Sequence, residues 1–345
     1  MKFDTGPLLD AIDRYIAKAD NDLEDALTAE GYPAAKKAVE MAGKLEDAID
    51  DALDADSLEF LERVQEASGV EDFLADVWPE IKDADDLRKA LYEIFRERFD
   101  EMLKGFTYEW MLSENPLIAG IDEEITKPAE AFITGWSDEL ARIMHLNTKD
   151  AMERMLLKAQ DEEWSIDKLA EAIGDSGIRN HGYRSRRVAL TEMLRVESYA
   201  QQEGMVQNPL AYKKKWRHVM SEHPRENHMA MDGQEVFKRE SFTLIGADGG
   251  TYYVTCPRDT GLPASETVNC HCLMETIEDE NAIGMTADEM ASMRKGYMDE
   301  VNAEYDAWEK KFREDYGIEK PSDDPSVTWE IYNSYYEAYR RGEIA

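Results

Sequence analysis

Residues 213–236 read KKKWRHVMSEHPRENHMAMDGQEV, and residues 268–273 read VNCHCL. The interval from Lys213 to Leu273 contains all three cysteines of the chain and four of its six histidines. Histidine and cysteine are the residue types that most often bind transition metals or carry nucleophilic chemistry. We therefore expect whatever is specific about this protein to lie in this interval.

The interval has the pattern of short strands rather than helices. Strands are predicted at about 213–220, 234–239, 242–245, 252–255 and 271–277. Residues 242–245 and 252–255 flank a glycine-rich segment, which is the pattern of a β-hairpin. Asp232-Gly233-Gln234 reads as a tight turn, because glycine allows a positive φ. The interval therefore predicts a small α+β module.

Apolar residues recur at three- and four-residue spacing on both sides of this module, as in amphipathic helices. Helices are predicted at about 7–28, 33–54, 57–67, 70–78, 83–112, 128–145, 147–161, 164–173, 185–203, 286–295, 297–314 and 326–341. The expected fold class is mainly α with a small α+β module. The predicted domains are an acidic helical region at 1–148, the α+β domain at 149–280 and amphipathic C-terminal helices at 281–345.

The composition is that of a globular chain long enough for two domains, with 345 residues of which 43% are hydrophobic. No run of about 18 apolar residues occurs, and carboxylates interrupt the N-terminal segment MKFDTGPLLDAID. We therefore expect no membrane partner and no secretion, and a protein made in a cytosol.

The formal net charge of −35 disfavours binding to nucleic acid over most of the surface. The acid is unevenly spread: residues 1–100 hold 28 acidic and 12 basic residues (−16), whereas residues 181–240 hold 8 and 11 (+3). We therefore expect any weak DNA contact in the central stretch, with Trp216 stacking on bases. The predicted contact residues are Lys213, Lys214, Lys215, Trp216 and Arg217. Solubility or salt adaptation is the other explanation of the acidic charge.

The cysteine pattern indicates a zinc site. The pair Cys270 and Cys272, with a third cysteine and nearby histidines, supplies the ligands of tetrahedral zinc. The predicted ligands are His228, Cys256, Cys270 and Cys272, with His223 or His271 as substitutes. Buried small hydrophobic residues are the alternative role for these cysteines.

An enzyme is the less favoured interpretation. His223 and His228 with Asn227 loosely resemble a metal-dependent nuclease, and a thiol beside histidine loosely resembles a cysteine nucleophile. The sequence has no nucleophile elbow, P-loop, HExxH or dinucleotide fingerprint. We expect no catalysis, and a metal-dependent enzyme acting on nucleic acid or nucleotide remains the alternative.

Four short motifs follow one another at compatible spacings. They are Arg186-Arg-Val-Ala-Leu-Thr-Glu192, R-x-x-H from Arg225 to His228, M-D-G-Q from Met231 to Gln234, and V-N-C-H-C-L from Val268 to Leu273. In this order they resemble the C-terminal domain of phage Mu F-like head morphogenesis proteins, or minor capsid proteins, over about residues 150–277. The family forms are R-x-x-x-A-R-T-E, R-x-x-H-x-x-L-D-G-Q and N-C-R-C. The residues that match the last two are Arg225, His228, Asp232, Gly233, Gln234, Asn269, Cys270 and Cys272.

The chain departs from the family pattern at Leu190, Met231 and His271, and Cys256 has no counterpart there. The resemblance implies a virion protein of low copy number at the portal vertex or capsid interior, present in the host cytoplasm during assembly. It implies a role in head assembly, genome packaging or ejection through binding the portal protein and other head proteins. The N-terminal helices would bind the portal, and the acidic charge would limit adhesion to packed DNA.

Overall fold

A computed structural model describes residues 20–175, 181–219, 224–268, 270–317 and 327–344. The first part of the predicted helix 7–28, together with His223 and Asn269, lies outside the described residues. Most of the chain is helical, and the strands are few and short. The predicted fold class, mainly α with a small α+β module, is confirmed. Among the described residues, no helix combines the length and apolar character needed to cross a membrane.

Long helices lie on both sides of the strands along the chain. In chain order the elements are α1 Asp20–Glu30, α2 Ala35–Glu66, α3 Val70–Asp72 with a π-helical turn at Phe73–Val77, α4 Trp78–Asp83, α5 Asp86–Glu114, a 3₁₀ turn at Pro116–Ile118, α6 Lys127–Asp161, α7 Ile166–Asp175, α8 His181–Gln207, β1 Ala211–Arg217, α9 Glu226–Met229, β2 Glu235–Phe237, β3 Phe242–Ile245, β4 Thr251–Val254, α10 Ala264–Thr267, β5 Leu273–Glu278, a 3₁₀ turn at Glu280–Ala282, α11 Ala287–Tyr316 and α12 Trp329–Arg340.

The chain divides into two compact units. Within the described ranges, one comprises Met1–Glu40, Phe99–Ile133 and Thr191–Ala345, and the other comprises Met41–Arg98 and Thr134–Leu190. Helices α2, α5, α6 and α8 contribute residues to both units. These units differ from the predicted domains 1–148, 149–280 and 281–345, whose assignment to separate functions stays a prediction.

Four predicted helix boundaries are wrong because local breaks do not decide helix ends. Helix α2 runs unbroken from Ala35 to Glu66, across the break predicted between residues 54 and 57. Helix α6 continues through Thr148, the predicted cap, whose hydroxyl donates to the carbonyl of Met144 one turn earlier at 2.8 Å instead of accepting from a backbone N–H. Helix α11 likewise continues through Gly296. Helix α8 passes Gly204 to end at Gln207. A Cβ at Gly204 would meet Cγ of Met111 at 3.3 Å, so this glycine serves close packing of α8 on α5.

The α+β module contains two antiparallel sheets. The strand order in the larger sheet is β2-β1-β5, and β3 pairs with β4 as the predicted hairpin. Strand β1 is the central strand of the larger sheet. Because side chains of a β-strand point to opposite faces in turn, its residues from Lys213 onward alternate between a buried and a more exposed face. The module core lies on the buried face and consists of Met205, Ala211, Trp216, Met231, Phe242, Leu244, Val254, Cys256, Leu262, Cys270, Cys272 and Met274.

The last two helices pack through aromatic rings. Helix α11 begins with a capping box, in which Thr286 and Glu289 satisfy each other's backbone N–H groups. The ring of Trp308 lies 4.8 Å from that of Tyr332 and 4.9 Å from that of Tyr336, measured between centroids. These aromatic residues therefore hold α12 against α11 within the chain.

Candidate metal centre

Three side chains of the α+β module bring their ligand atoms together. Nδ1 of His228 lies 3.5 Å from Sγ of Cys270 and 3.7 Å from Sγ of Cys272. Within the described residues, the ligand atoms of these three side chains all lie within 4.8 Å of one another. The three residues are buried, with exposed fractions of only 1% for His228 and 2% for each cysteine. Three of the four predicted metal ligands therefore meet at one point; we call them the His-Cys-Cys cluster.

The fourth predicted ligand, Cys256, is not part of this cluster. Cys256 is fully buried in the module core, and its sulfur lies 3.9 Å from the hydroxyl of Thr255. Burial raises the pKa of the Cys256 thiol, so it stays neutral. The predicted substitute His271 faces Glu30 instead, with Nδ1 2.9 Å from a carboxylate oxygen. The cluster thus corrects the predicted ligand set at Cys256 and at His271.

A carboxylate orients His228 toward the sulfurs. Nε2 of His228 lies 2.9 Å from Glu266, which also accepts from the backbone N–H of Ala247 at 2.8 Å and from the amide of Asn227 at 3.0 Å. Burial opposes ionisation of Glu266, but these hydrogen bonds outweigh it and lower the pKa of its carboxyl group. An ionised carboxylate only accepts, so Nε2 of His228 carries the hydrogen. Nδ1 is the ring nitrogen that faces Cys270 and Cys272.

Arg225 ties the segment before the cysteines to α9. Its guanidinium donates to the carbonyl of Ser265 at 2.8 Å and to that of Val268 at 2.6 Å. These carbonyls lie at and just after α10, which leads directly to Cys270. Since Arg225 precedes α9, its bonds fix the distance between His228 and the cysteines.

The turn Asp232-Gly233-Gln234 joins β1, β2 and β3. The Asp232 carboxylate accepts from the backbone N–H of His218 at 2.8 Å. Gly233 has φ +81°, and its N–H donates to the carbonyl of Trp216 at 2.9 Å. The Gln234 side chain bonds to both the N–H and the carbonyl of Thr243, at 2.9 and 3.2 Å. The predicted tight turn is confirmed, and each of its residues positions a neighbouring strand.

Replacing Gly233 by alanine is expected to lower the free energy of unfolding by about 1–2 kcal/mol, the cost of a left-handed backbone for an L-residue. A Cβ at Gly233 would meet no described heavy atom within 4 Å, so sterics add nothing. Urea denaturation measures the change. Gly296→Ala in exposed helix α11 is the control and is expected to stabilise by about 0.5–1 kcal/mol. Equal effects of the two substitutions would contradict the role of the positive φ.

His218 lies beside the cluster, although the predicted ligand set omits it. Its Nδ1 is 3.6 Å from Sγ of Cys272. Its Nε2 is buried and has no hydrogen-bond partner in the part of the chain that the structure describes. The period of two along β1 could have indicated that His218 faces inward. Lys214 and Trp216, at four and two positions before it, are both fully buried.

The prediction of a DNA contact is wrong for Lys214 and Trp216. Both residues are fully buried, so neither presents its side chain to a phosphate or a base. Lys213 lies 3.7 Å from Glu235, and Arg217 lies 3.7 Å from Glu275, which also pairs with Lys215. DNA contact by these three exposed or half-buried residues stays a prediction.

The two cysteines of the cluster form one hydrogen-bonded pair. The thiol of Cys272 beside Cys270 lowers the pKa of Cys270 well below its ordinary value, and the same bond raises the pKa of Cys272. A low thiol pKa is typical of nucleophilic cysteines, but a nucleophile also needs contact with its substrate. At 2% exposure Cys270 lacks that contact. The arrangement is therefore suited to holding an ion inside the module.

Comparison with known proteins identifies one family. The chain is 31% identical over 232 residues to the uncharacterized protein YqbB of Bacillus subtilis (strain 168), a match that covers 62% of this chain and 75% of YqbB. The chain therefore belongs to the same family as YqbB. No model of a known protein family matches the chain. No solved structure matches it.

A shorter similarity connects the chain to a larger protein. Over 125 residues it is 32% identical to the NAD(+)–arginine ADP-ribosyltransferase EFV of Enterococcus faecalis (strain ATCC 700802 / V583). The match covers 35% of this chain but only 23% of the transferase. The two proteins therefore share a segment about the size of one domain.

Proposed function

We propose that this protein is a head morphogenesis or minor capsid protein of the phage Mu F-like type, which acts at the portal vertex by binding other head proteins. The observation that carries the proposal is the structural use of its motif residues. The side chains of three motif residues, Arg225, Asp232 and Gln234, form hydrogen bonds with backbone groups of neighbouring segments. His228, Cys270 and Cys272 are buried together. Motif residues that are buried or bonded to the backbone stabilise the fold of the module. They are not placed to act on a substrate.

The similarity to the transferase EFV is confined to a segment about the size of one domain. The shared segment covers less than a quarter of that protein, so its transferase activity is not carried over to this chain. The alternative, a metal-dependent enzyme acting on nucleic acid, needs a metal open to substrate. Burial of the described cluster disfavours it, because a catalytic site keeps one ligand position accessible.

Binding surfaces for head proteins are best sought on the long helices. Ile143, Leu146 and Leu157 are exposed by 36–49% and follow helical spacing along one face of α6. Leu58 on α2, in the same unit, is exposed by 61%. Between Leu146 and Leu157 the same face of α6 carries Asp150, Glu153 and Arg154, so a partner there would contact apolar and charged side chains together. Association through these faces would place the acidic N-terminal region against the portal.

Co-expression with a phage portal protein from the same genome tests the proposal. We expect the two proteins to elute together in gel filtration at low and at moderate salt. Leu146→Asp with Leu157→Asp is expected to abolish co-elution, because it places charge in an apolar contact. Leu117→Asp, at an exposed position in the other unit, is the control and should retain binding. Separate elution of wild-type protein and portal at both salt concentrations would refute the proposal.

The same preparation is expected to leave single- and double-stranded DNA intact when Mg²⁺, Mn²⁺ or Zn²⁺ is added. The measurement is a cleavage assay analysed on gels, with His228→Ala beside the wild type. Cleavage by the wild type that the substitution removes would favour the enzyme over the assembly protein.

A further inference from the structure

We propose that His218, His228, Cys270 and Cys272 together bind one zinc ion in a closed tetrahedral site, with His218 as the fourth ligand. This inference concerns the module alone and holds whether or not the protein acts in head assembly. It adds His218 to the His-Cys-Cys cluster and leaves Cys256 out.

Three of the distances between ligand atoms match the edges of a tetrahedron around zinc. With bonds of about 2.3 Å to sulfur and about 2.0–2.1 Å to nitrogen, tetrahedral geometry separates a sulfur from a nitrogen by about 3.6 Å. Three of the four nitrogen–sulfur pairs measure 3.5, 3.6 and 3.7 Å, two of them from His228 and one from His218 to Cys272. His228, Cys270 and Cys272 therefore share a centre, and His218 borders it, outside the group of described residues whose ligand atoms all lie within 4.8 Å of one another.

Ring nitrogens of two histidines face the sulfur of Cys272. Nε2 of His228 is occupied by Glu266, so Nδ1 is the ring nitrogen that faces the sulfurs. The sulfur of Cys272 lies 3.6 Å from Nδ1 of His218 and 3.7 Å from Nδ1 of His228. A cation at this meeting point would be bound by each of these atoms, because each can offer it a lone pair.

His218 is suited to be the ligand that closes the site. Its backbone is held by Asp232, whereas its buried Nε2 has no partner among the described residues. Burying an imidazole nitrogen without a hydrogen bond costs about 1–3 kcal/mol. Coordination through Nδ1 would leave Nε2 as the ring N–H, so it is the 3.6 Å contact of Nδ1 with Sγ of Cys272 that places His218 at the site. Four protein ligands leave no place for substrate, which is the arrangement of a structural zinc site.

The donor set and its surroundings select zinc. Thiolate and imidazole ligands in a tetrahedron are typical of zinc, whereas magnesium and calcium prefer oxygen ligands. Two thiolates balance the charge of Zn²⁺, so the buried centre is neutral. Glu266 holds the far nitrogen of His228 at 2.9 Å, the outer carboxylate that zinc-binding histidines commonly have.

The site would link segments that are distant along the chain. Cys272 is 54 residues from His218 and 44 from His228. A link of this length removes conformational freedom from the unfolded chain and so stabilises the fold. The module has a sheet of only three strands and a separate two-stranded hairpin, and a hairpin of two strands is marginally stable on its own, so a metal link would add to its stability.

Metal analysis of the full chain, purified without chelator, tests the proposal. Mass spectrometry is expected to find about one zinc per chain. Replacement by Co²⁺ should produce the intense visible bands of tetrahedral cobalt together with thiolate charge-transfer bands. Cys272→Ser should lose the metal, and His218→Ala should bind it more weakly with an altered cobalt spectrum. Cys256→Ser is the matched control, a buried cysteine outside the site, and should leave content and spectrum unchanged.

A second variant tests the site even if the ligand substitutions prevent the protein from folding. Glu266→Gln retains every ligand and is expected to raise the zinc dissociation constant about 10–100-fold, as measured by competition with a chromogenic chelator. Wild-type protein that takes up neither zinc nor cobalt would overturn the site. A His218→Ala protein with the wild-type cobalt spectrum and affinity would overturn the role of His218.

Discussion

Trp216→Ala is expected to lower the free energy of unfolding by about 3–5 kcal/mol, the usual cost of removing a large aromatic side chain from a core. Trp216 is fully buried, and its ring lies 5.3 Å from that of Phe242 and 6.2 Å from that of His228, between centroids. Neighbouring side chains cannot fill a space of that size. Urea denaturation followed by circular dichroism measures the loss.

Lys215→Ala on the same strand is the control for this experiment. Lys215 is partly exposed and pairs with Glu275 at the surface, so its removal should change stability by no more than about 0.5 kcal/mol. If Trp216 stacked on DNA bases instead, its replacement would weaken binding to single-stranded DNA and leave stability nearly unchanged. That outcome would contradict the burial of Trp216.

The second large effect is a rise in stability between about pH 7 and about pH 9 that depends on Lys214. Its ammonium group is fully buried and donates to Gln202 at 2.7 Å and to the carbonyl of Thr255 at 2.6 Å. Burial lowers the pKa of Lys214 to about 7, and nearby Arg340 adds to the effect. A neutral amine still has two hydrogens, which is the number that these two acceptors require.

The free energy of unfolding rises with pH here because the folded and unfolded states bind different numbers of protons. The unfolded chain holds the Lys214 proton up to a pKa of 10.5, whereas the folded protein releases it near pH 7. Between these values the unfolded state binds more protons, so the free energy of unfolding rises with pH. For Lys214 the gain from about pH 7 to about pH 9 amounts to about 2 kcal/mol. Lys238, whose pKa burial lowers to about 8, contributes with the same sign.

Comparison of wild type with Lys214→Met isolates this contribution. The variant keeps an apolar side chain of similar length but leaves two buried acceptors without a donor, so it should be less stable at every pH. Its stability should also rise less steeply between pH 7 and pH 9, as followed by urea denaturation. Lys213→Met, at a more exposed position on the same strand, should keep the wild-type slope. Parallel curves for wild type and Lys214→Met would show that Lys214 retains its proton when buried.

Periodicity predicted elements best where one local pattern dominates. The helix predicted at 83–112 spans Asp86–Glu114, and the hairpin predicted around residues 246–250 is present. Prediction failed where a neighbouring turn or element outweighed a local signal. Thr148 satisfies its hydroxyl within α6 rather than capping a new helix, and Gly204 is needed for contact with α5 rather than for a helix end. Tertiary packing overrides weak local preferences of this kind.

For the candidate site, too, the sequence predicted some residues correctly and others not. The pattern of cysteines and histidines was sufficient to select His228, Cys270 and Cys272, because alternate residues of an extended segment point to one side. Cys256 was also selected but lies outside the cluster, because ligand geometry depends on where segments meet in space. Sequence distance carries no such information.

Local chemistry in the chain was enough to establish a mainly helical protein, a small module with a tight turn at Gly233, and a concentration of histidine and cysteine within it. These properties depend on neighbours a few positions apart. Only the folded chain decided that Lys214 and Trp216 of a basic strand turn inward, and that His218 comes to lie beside Cys272. The physical reason is that the pairing of β1 with β2 and β5 determines which face of the strand meets the core, and this pairing joins residues that are far apart in sequence.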